Sequence, residues 1–92
     1  MDRYLYEASR YALVICRDSS NRYLCVKENL NRGWWIPGGK VKNDELFITA
    51  AVRECEEETL ITPVIKGIIR VDHGKYYERN VFRCIYYAEP KD

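Results

Sequence analysis

The sequence predicts a mixed α/β fold. Three observations point to it: a continuous apolar run from Tyr11 to Cys16, a glycine-rich stretch between Glu28 and Lys42, and a helix-forming segment followed by two further strand-like runs. The order strand, strand, glycine loop, helix, strand, strand departs from a parallel βαβ repeat. With 92 residues, the chain holds one domain at most, 1–92, and its core is expected to be thin.

The run Tyr11 to Cys16 is rich enough in strand formers to suggest a strand buried on both faces. Asp18, Ser19, Ser20 and Asn21 then supply turn chemistry, and a second strand, Arg22 to Lys27, is expected to pair with the first as a hairpin. Glu28 to Lys42 carries three glycines and a proline and reads as a loop making close backbone approaches. Asp44 is placed to cap a helix from Glu45 to Thr59, a segment without internal glycine or proline. Pro63 closes that segment and pushes Thr62 toward extended geometry, after which Val64 to Val71 reads as a strand. A turn near His73 and Gly74 is expected to lead into a last strand, Asn80 to Ala88. Neither an internal repeat nor a linker interrupts this order.

Composition narrows the function classes. About a third of the residues are charged (32%), yet the net charge is +1, so the chain lacks the positive field that recruits nucleic acid nonspecifically. Any phosphate binding must be local. Cys16, Cys25, Cys55 and Cys84 form neither a CxxC pair nor a zinc pattern and are expected to be reduced, mostly packed thiols. No apolar run has the length of a membrane span, and Met1 to Arg10 is too charged for a signal peptide. The expected compartment is the cytoplasm, with the nucleus as an alternative.

The chemistry concentrates on the helix. Glu54, Glu57 and Glu58 stand at i, i+3 and i+4 and project within one arc, next to the apolar arc of Phe47, Ile48, Ala51, Val52 and Cys55. Negative charges near a helix C-terminus oppose the macrodipole and repel one another. A hard divalent cation with oxygen ligands would offset both effects. On its own this spacing more often marks a solvated acidic face.

The context decides. Gly33-Trp34-Trp35-Ile36-Pro37-Gly38-Gly39 lies upstream, and Gly39, Glu45, Arg53, Glu54, Glu57 and Glu58 fall at the intervals of G-x5-E-x7-R-E-U-x-E-E-x-G-U, with Cys55 and Ile61 at the apolar U positions. This resembles the signature of the Nudix hydrolases, from Gly39 to Ile61, with Leu60 in place of the last glycine. The resemblance implies a Nudix-like α/β/α sandwich with a mixed sheet. It also implies hydrolysis of a diphosphate bond in a nucleoside diphosphate derivative, by water activated at Mg²⁺ or Mn²⁺. By the same resemblance Glu54, Glu57, Glu58 and the Gly38 carbonyl are the metal ligands, with one of the glutamates as the alternative base. Arg53 would orient the catalytic carboxylates and Glu45 would steady the loop end; with Glu54 and Glu57 they make up the catalytic set.

Substrate contacts are expected from Lys40, directly after the glycines, from Gly39 and Trp35, and from Tyr77 and Arg79 beside Tyr76 in the last hairpin. Trp34 is expected to pack under the loop, and His73 to serve the turn. Family members usually run longer, so the sandwich is expected to be truncated at the C-terminus. Phe82, Ile85, Tyr86 and Tyr87 would then present apolar surface, and a homodimer through the last strand follows as an expectation. The alternative function is a catalytically weak Nudix-fold module binding a nucleotide or a protein partner.

Overall fold

The computed structural model describes residues 7–28 and 33–92. Strand β1, Ser9–Cys16, contains the predicted apolar run, but its burial alternates: Ala12, Val14 and Cys16 are buried, and Tyr11, Leu13 and Ile15 are half-buried. The expectation of two buried faces is therefore corrected: among the described residues the one helix covers the face that carries Ala12, Val14 and Cys16, and the other face is half-buried.

The expected hairpin with the second strand also changes. Asp18 does organise the turn, accepting from the Ser20 and Arg22 amides at 2.9 Å each. Beyond it, the backbone pairing of this segment with the end of β1 among the described residues consists of the Arg17–Tyr23 bridge and a 2.9 Å bond from the Leu24 amide to the Cys16 carbonyl. The regular part, β2 (Val26–Lys27), pairs instead with β3 (Trp34–Trp35) in a separate two-stranded sheet. Both edges of β1 are already taken. Strand β4, Gly38–Lys40, lies antiparallel to it on one side, and β6, Arg79–Pro90, runs parallel on the other. Thus the predicted glycine loop contains two short strands, while residues 29–32 of it lie outside the described residues. Gly38 is required where β4 meets β1, since a Cβ there would stand 2.5 Å from the Ala12 carbonyl oxygen and 2.8 Å from Leu13 Cα.

Helix α1 spans Phe47–Thr59, two residues later at its start than the sequence suggests. Asp44 is not its cap: at φ 63° it occupies a turn, a conformation that Asp tolerates, and Leu46 takes the N-cap position without a side-chain hydrogen bond. Glu45 stays outside the helix because its carboxylate is bonded to Arg53 and to the Lys42 amide. The buried helix residues are Ala50, Ala51 and Cys55, whereas Ile48 of the predicted apolar arc is exposed.

Strand β5, Pro63–Tyr76, runs through His73 and Gly74, which are strand residues rather than a turn. Their partners are Phe82 and Val81 of β6. The reversal comes at Tyr77 and Glu78, both at positive φ (48° and 65°), the signs of the tight turn whose twist matches a hairpin. Two bulges, between Ile65 and Gly67 and between Ile68 and Arg70, interrupt the ladder.

The main sheet has the order β4-β1-β6-β5 and is mixed. Ala12 pairs with Cys84, Val14 with Tyr86 and Cys16 with Ala88, and these buried pairs pack with Ala50, Ala51 and Cys55 of α1. Tyr86 is thus a core residue, correcting the expectation that it lies on open surface. Phe82, on the same side, meets Phe47 at 5.8 Å between ring centroids. The architecture is that of an α/β/α sandwich, of which the described residues contain the sheet and one helical layer. None of their helices is long and apolar enough to cross a membrane.

Candidate active site

Arg53 organises the acidic end of α1. Its Nε donates to Glu45 Oε2 at 2.8 Å and its Nη2 to Glu45 Oε1 at 3.0 Å, a bidentate pair. Nη1 donates to Glu54 Oε1 at 2.9 Å and more loosely to Glu57 at 3.3 Å, while Nη2 also reaches the Lys40 carbonyl at 3.1 Å. One side chain thereby ties the helix to the loop end and to β4. The hydrogen bonds from Arg53 and from the Lys42 amide hold the Glu45 carboxyl down to about 2, and these carboxylates in turn raise the Arg53 guanidinium further. Glu45 is ionised throughout the neutral range.

The glycines face this cluster. A Cβ on Gly39 would collide with the Glu54 carboxylate, whose Oε2 would lie at 2.5 Å, so Gly39 leaves the space that this carboxylate fills. The Gly38 amide donates to Glu58 Oε1 at 2.9 Å. Desolvation pushes the Glu58 carboxyl up, the Gly38 bond opposes that, and the charges of Glu54, Glu28 and Glu57 add to the rise. One guanidinium thus serves three of four neighbouring carboxylates, and the excess charge is negative.

The three helix glutamates do not meet at one point. Arg53 draws Glu54 and Glu57, Gly38 draws Glu58, and among the described residues no three His, Cys, Asp or Glu side chains converge as a metal cage. The donor set nonetheless fits a hard divalent cation: all its donors are oxygens, they carry excess negative charge, and Gly39 keeps the Glu54 carboxylate clear of backbone bulk.

Two clefts flank β4. One, of about 410 Å³, opens on the sheet face turned away from α1 and is lined by Tyr11, Leu13, Trp35, Tyr76 and Arg83 together with Gly38 and Gly39. The other, of about 420 Å³, is polar and contains Arg10, Lys40, Asn43 and Arg79.

The pattern of the NUDIX domain matches residues 8–92. The chain belongs to the Nudix family. Among solved structures it is similar to a NUDIX hydrolase from Nitrosomonas europaea, with a TM-score of 0.78 and 21% identity over 94% of this chain and 61% of that one. It is also similar to the MutT protein from Methanosarcina mazei, with a TM-score of 0.72 and 27% identity over 91% of this chain and 65% of that one. A mutant of the pyrophosphohydrolase BsRppH from Bacillus subtilis superposes with a TM-score of 0.81 and 26% identity, covering 100% of this chain and 57% of that one. The Nudix chain therefore spans between 57% and 65% of the length of these structures. Comparison with curated proteins found no match.

Within this Nudix domain, Glu45, Arg53, Glu54 and Glu57 form one bonded cluster, with Glu58 beside it on Gly38. The expected substrate contacts divide. Gly39 and Trp35 line the aromatic cleft, and Lys40 and Arg79 the polar one. Tyr77 lies edge-on against Tyr76, with ring centroids 4.5 Å apart. Trp34 is 66% exposed rather than packed under the loop. Sequence reasoning missed Tyr11, Leu13 and Arg83 as cleft residues; the available signal was their shared period-two parity with the half-buried face of β1, which becomes useful only once the pairing of Tyr11 with Arg83 is known. Cys16, Cys55 and Cys84 are buried, and burial raises all three thiols, Cys16 to about 11, which leaves them inert.

Proposed function

We propose that the chain is a metal-dependent diphosphohydrolase acting on a nucleoside diphosphate linked to another moiety, with Mg²⁺ or Mn²⁺ as cofactor. The observation that carries this reading is the Arg53-centred cluster, in which one guanidinium holds Glu45, Glu54 and Glu57 against a glycine strand. Such an arrangement is costly for a helix C-terminus and is explained when its excess negative charge faces a cation.

Glu54, Glu57 and Glu58, with the Gly38 carbonyl, would hold the ion. When bound, it lowers the pKa of a water molecule and offsets charge on the phosphates. The rest falls to the chain itself. Arg53 orients Glu54 and Glu57 through charge-assisted bonds, and Glu45, braced by the Lys42 amide, keeps Arg53 in place. Glu57, the most loosely held partner of Arg53, is best placed to accept a proton from water. Lys40 and Arg79 offer positive charge to phosphate from the polar cleft.

The test is a metal-dependent hydrolysis panel of nucleoside triphosphates, nucleoside diphosphate sugars, dinucleoside polyphosphates and capped RNA, run on the wild type and on Glu57→Gln. Turnover of one class is expected with Mg²⁺ or Mn²⁺, and Glu57→Gln is expected to lower it by at least about 10²-fold while the protein stays folded. Hydrolysis unchanged in a folded Glu57→Gln protein would move the chemistry away from this cluster.

A further inference from the structure

We propose that Arg10, on β1, is a positioning residue for the carboxylate cluster: it fixes the turn between β4 and α1, the segment from which Glu45 holds Arg53. This deepens the diphosphohydrolase reading and rests on it for the effect on turnover. Residues 41–46 join β4 to α1 and belong to neither, and Asp44 among them has φ 63°. A residue in that region persists where its surroundings over-determine it. Yet this same segment carries the Lys42 amide and the Glu45 carboxylate that brace Arg53. The aim of Arg53 is therefore no better than the placement of the turn.

Arg10 secures that placement at three points. Its carbonyl accepts from the Val41 amide at 2.8 Å, and its Nη2 donates to the Lys42 carbonyl at 3.1 Å. Between those bonds the Lys42 amide donates to Glu45 Oε1 at 3.0 Å, so three successive peptide groups are fixed, the outer two by Arg10 and the middle one by Glu45. The Lys42 carbonyl also accepts from the Glu45 amide at 3.2 Å, which closes the turn. The third point is the Phe47 ring, the first residue of α1: Arg10 Cζ lies 6.0 Å from its centroid. One guanidinium thus spans the turn from Lys42 to the start of the helix.

The connection runs from Arg10 through Lys42 and Glu45 to Arg53, and from there to Glu54 and Glu57. Each link is a hydrogen bond of between 2.8 and 3.3 Å. Arg10 also lines the polar cleft beside Lys40 and Arg79, so the rival role is a direct contact to substrate phosphate. The two roles differ in kinetics. A lost substrate contact raises KM, whereas a displaced carboxylate lowers kcat.

The experiment compares the wild type with Arg10→Met, which keeps an apolar stem against Phe47 and removes the guanidinium. Two quantities are read: hydrogen exchange of the Arg53 Nε–H group by NMR, and kcat and KM for the substrate class that the hydrolysis panel identifies. In Arg10→Met the Arg53 Nε–H is expected to exchange at least about tenfold faster and kcat to fall at least about tenfold, with KM changed by less than about twofold. The melting temperature and the exchange of the Val14 amide, which is bonded to the Pro37 carbonyl in the core, are expected to stay near wild type. Unchanged Arg53 exchange in a folded Arg10→Met protein would overturn the proposal. So would a raised KM at constant kcat, which would make Arg10 a substrate contact, or a Val14 amide that exchanges faster by the same factor, which would make the effect global. Should Arg10→Met not fold, Arg10→Gln, whose uncharged side chain is too short to span from Lys42 to Phe47, decides by the same readouts. The two readings fail separately: faster Arg53 exchange without metal-dependent hydrolysis of any substrate sinks the enzyme reading alone, and Glu57-dependent hydrolysis indifferent to Arg10→Met sinks the positioning role alone.

Discussion

Arg53 touches three carboxylates and a backbone carbonyl, so its neighbours are constrained in ways that single substitutions can separate. Gly38 and Gly39 are adjacent but are glycines for different reasons. A Cβ at Gly38 would press on the backbone of Ala12 and Leu13, which cannot yield without opening the β1–β4 pairing. At Gly39 the obstacle is the end of a flexible Glu54 side chain. Gly38→Ala is therefore expected to destabilise the protein by about 1–3 kcal/mol, the usual cost of overpacking, measured by denaturant unfolding. Gly39→Ala is expected to leave stability nearly unchanged and to lower turnover by displacing Glu54, so equal stability losses in the two variants would refute the distinction. Leu60 has the left-handed conformation (φ 61°) that the family's glycine would take freely, and it is 91% exposed, so its side chain offers little in return. Removing a left-handed penalty of about 1–2 kcal/mol, less the extra flexibility of glycine when unfolded, leaves Leu60→Gly more stable by about 1 kcal/mol. A melting temperature raised by roughly 4–8 °C is the expected reading.

At the scale of elements, α1 has unfavourable ends. Its first turn holds no acidic residue, its last holds no basic one, and its N-cap is an exposed leucine. Leu46 already has the extended backbone of an N-cap (φ −74°, ψ 150°), and its carbonyl accepts from the Ala50 amide at 3.0 Å. What it lacks is a side-chain acceptor for the free amides of the first turn. Leu46→Asp is expected to raise stability by about 1 kcal/mol in a thermal melt, through capping and the macrodipole together. A neutral or lower melting temperature would mean that Leu46 contributes packing that its exposure conceals. Strand β5 shows the opposite arrangement. Its exposed Val64, Ile68, Ile69 and Val71 are interrupted by bulges, which break the regular edge that another strand would otherwise extend.

For the molecule as a whole, the fully buried part of the core is built from small side chains: among the described residues the largest are Val14, Pro37 and Cys55, with Tyr86 at the core's edge. A core of this kind leaves a slim margin, and domains of this size hold about 5–15 kcal/mol in total. Val14 sits at its centre, on the strand that β4 and β6 enclose and beneath α1. Val14→Ala is expected to cost about 2 kcal/mol through lost burial and a residual cavity, lowering the melting temperature by about 10 °C. A loss below about 0.5 kcal/mol would show that the sheet collapses around the missing methyl groups.

The sequence by itself determined the acidic helix and the residues of the cluster. Glu45, Arg53, Glu54, Glu57 and Glu58 lie close along the chain, and helix geometry fixes their relative directions without reference to the rest of the molecule. The Asp18 turn was legible for the same reason. Tertiary structure decided which partners those side chains found: Glu58 on the Gly38 amide, Arg53 on the Lys40 carbonyl, and Glu45 drawn out of the helix, which moved the cap from Asp44 to Leu46. It also decided the cleft. An apolar run such as Tyr11 to Cys16 does not announce which of its faces is covered, and the parallel pairing of β1 with β6 joins residues some seventy positions apart, as Tyr11 and Arg83 illustrate. Strand pairing is settled by competition for edges and for the buried face across the whole chain, whereas a helix is settled within a few turns.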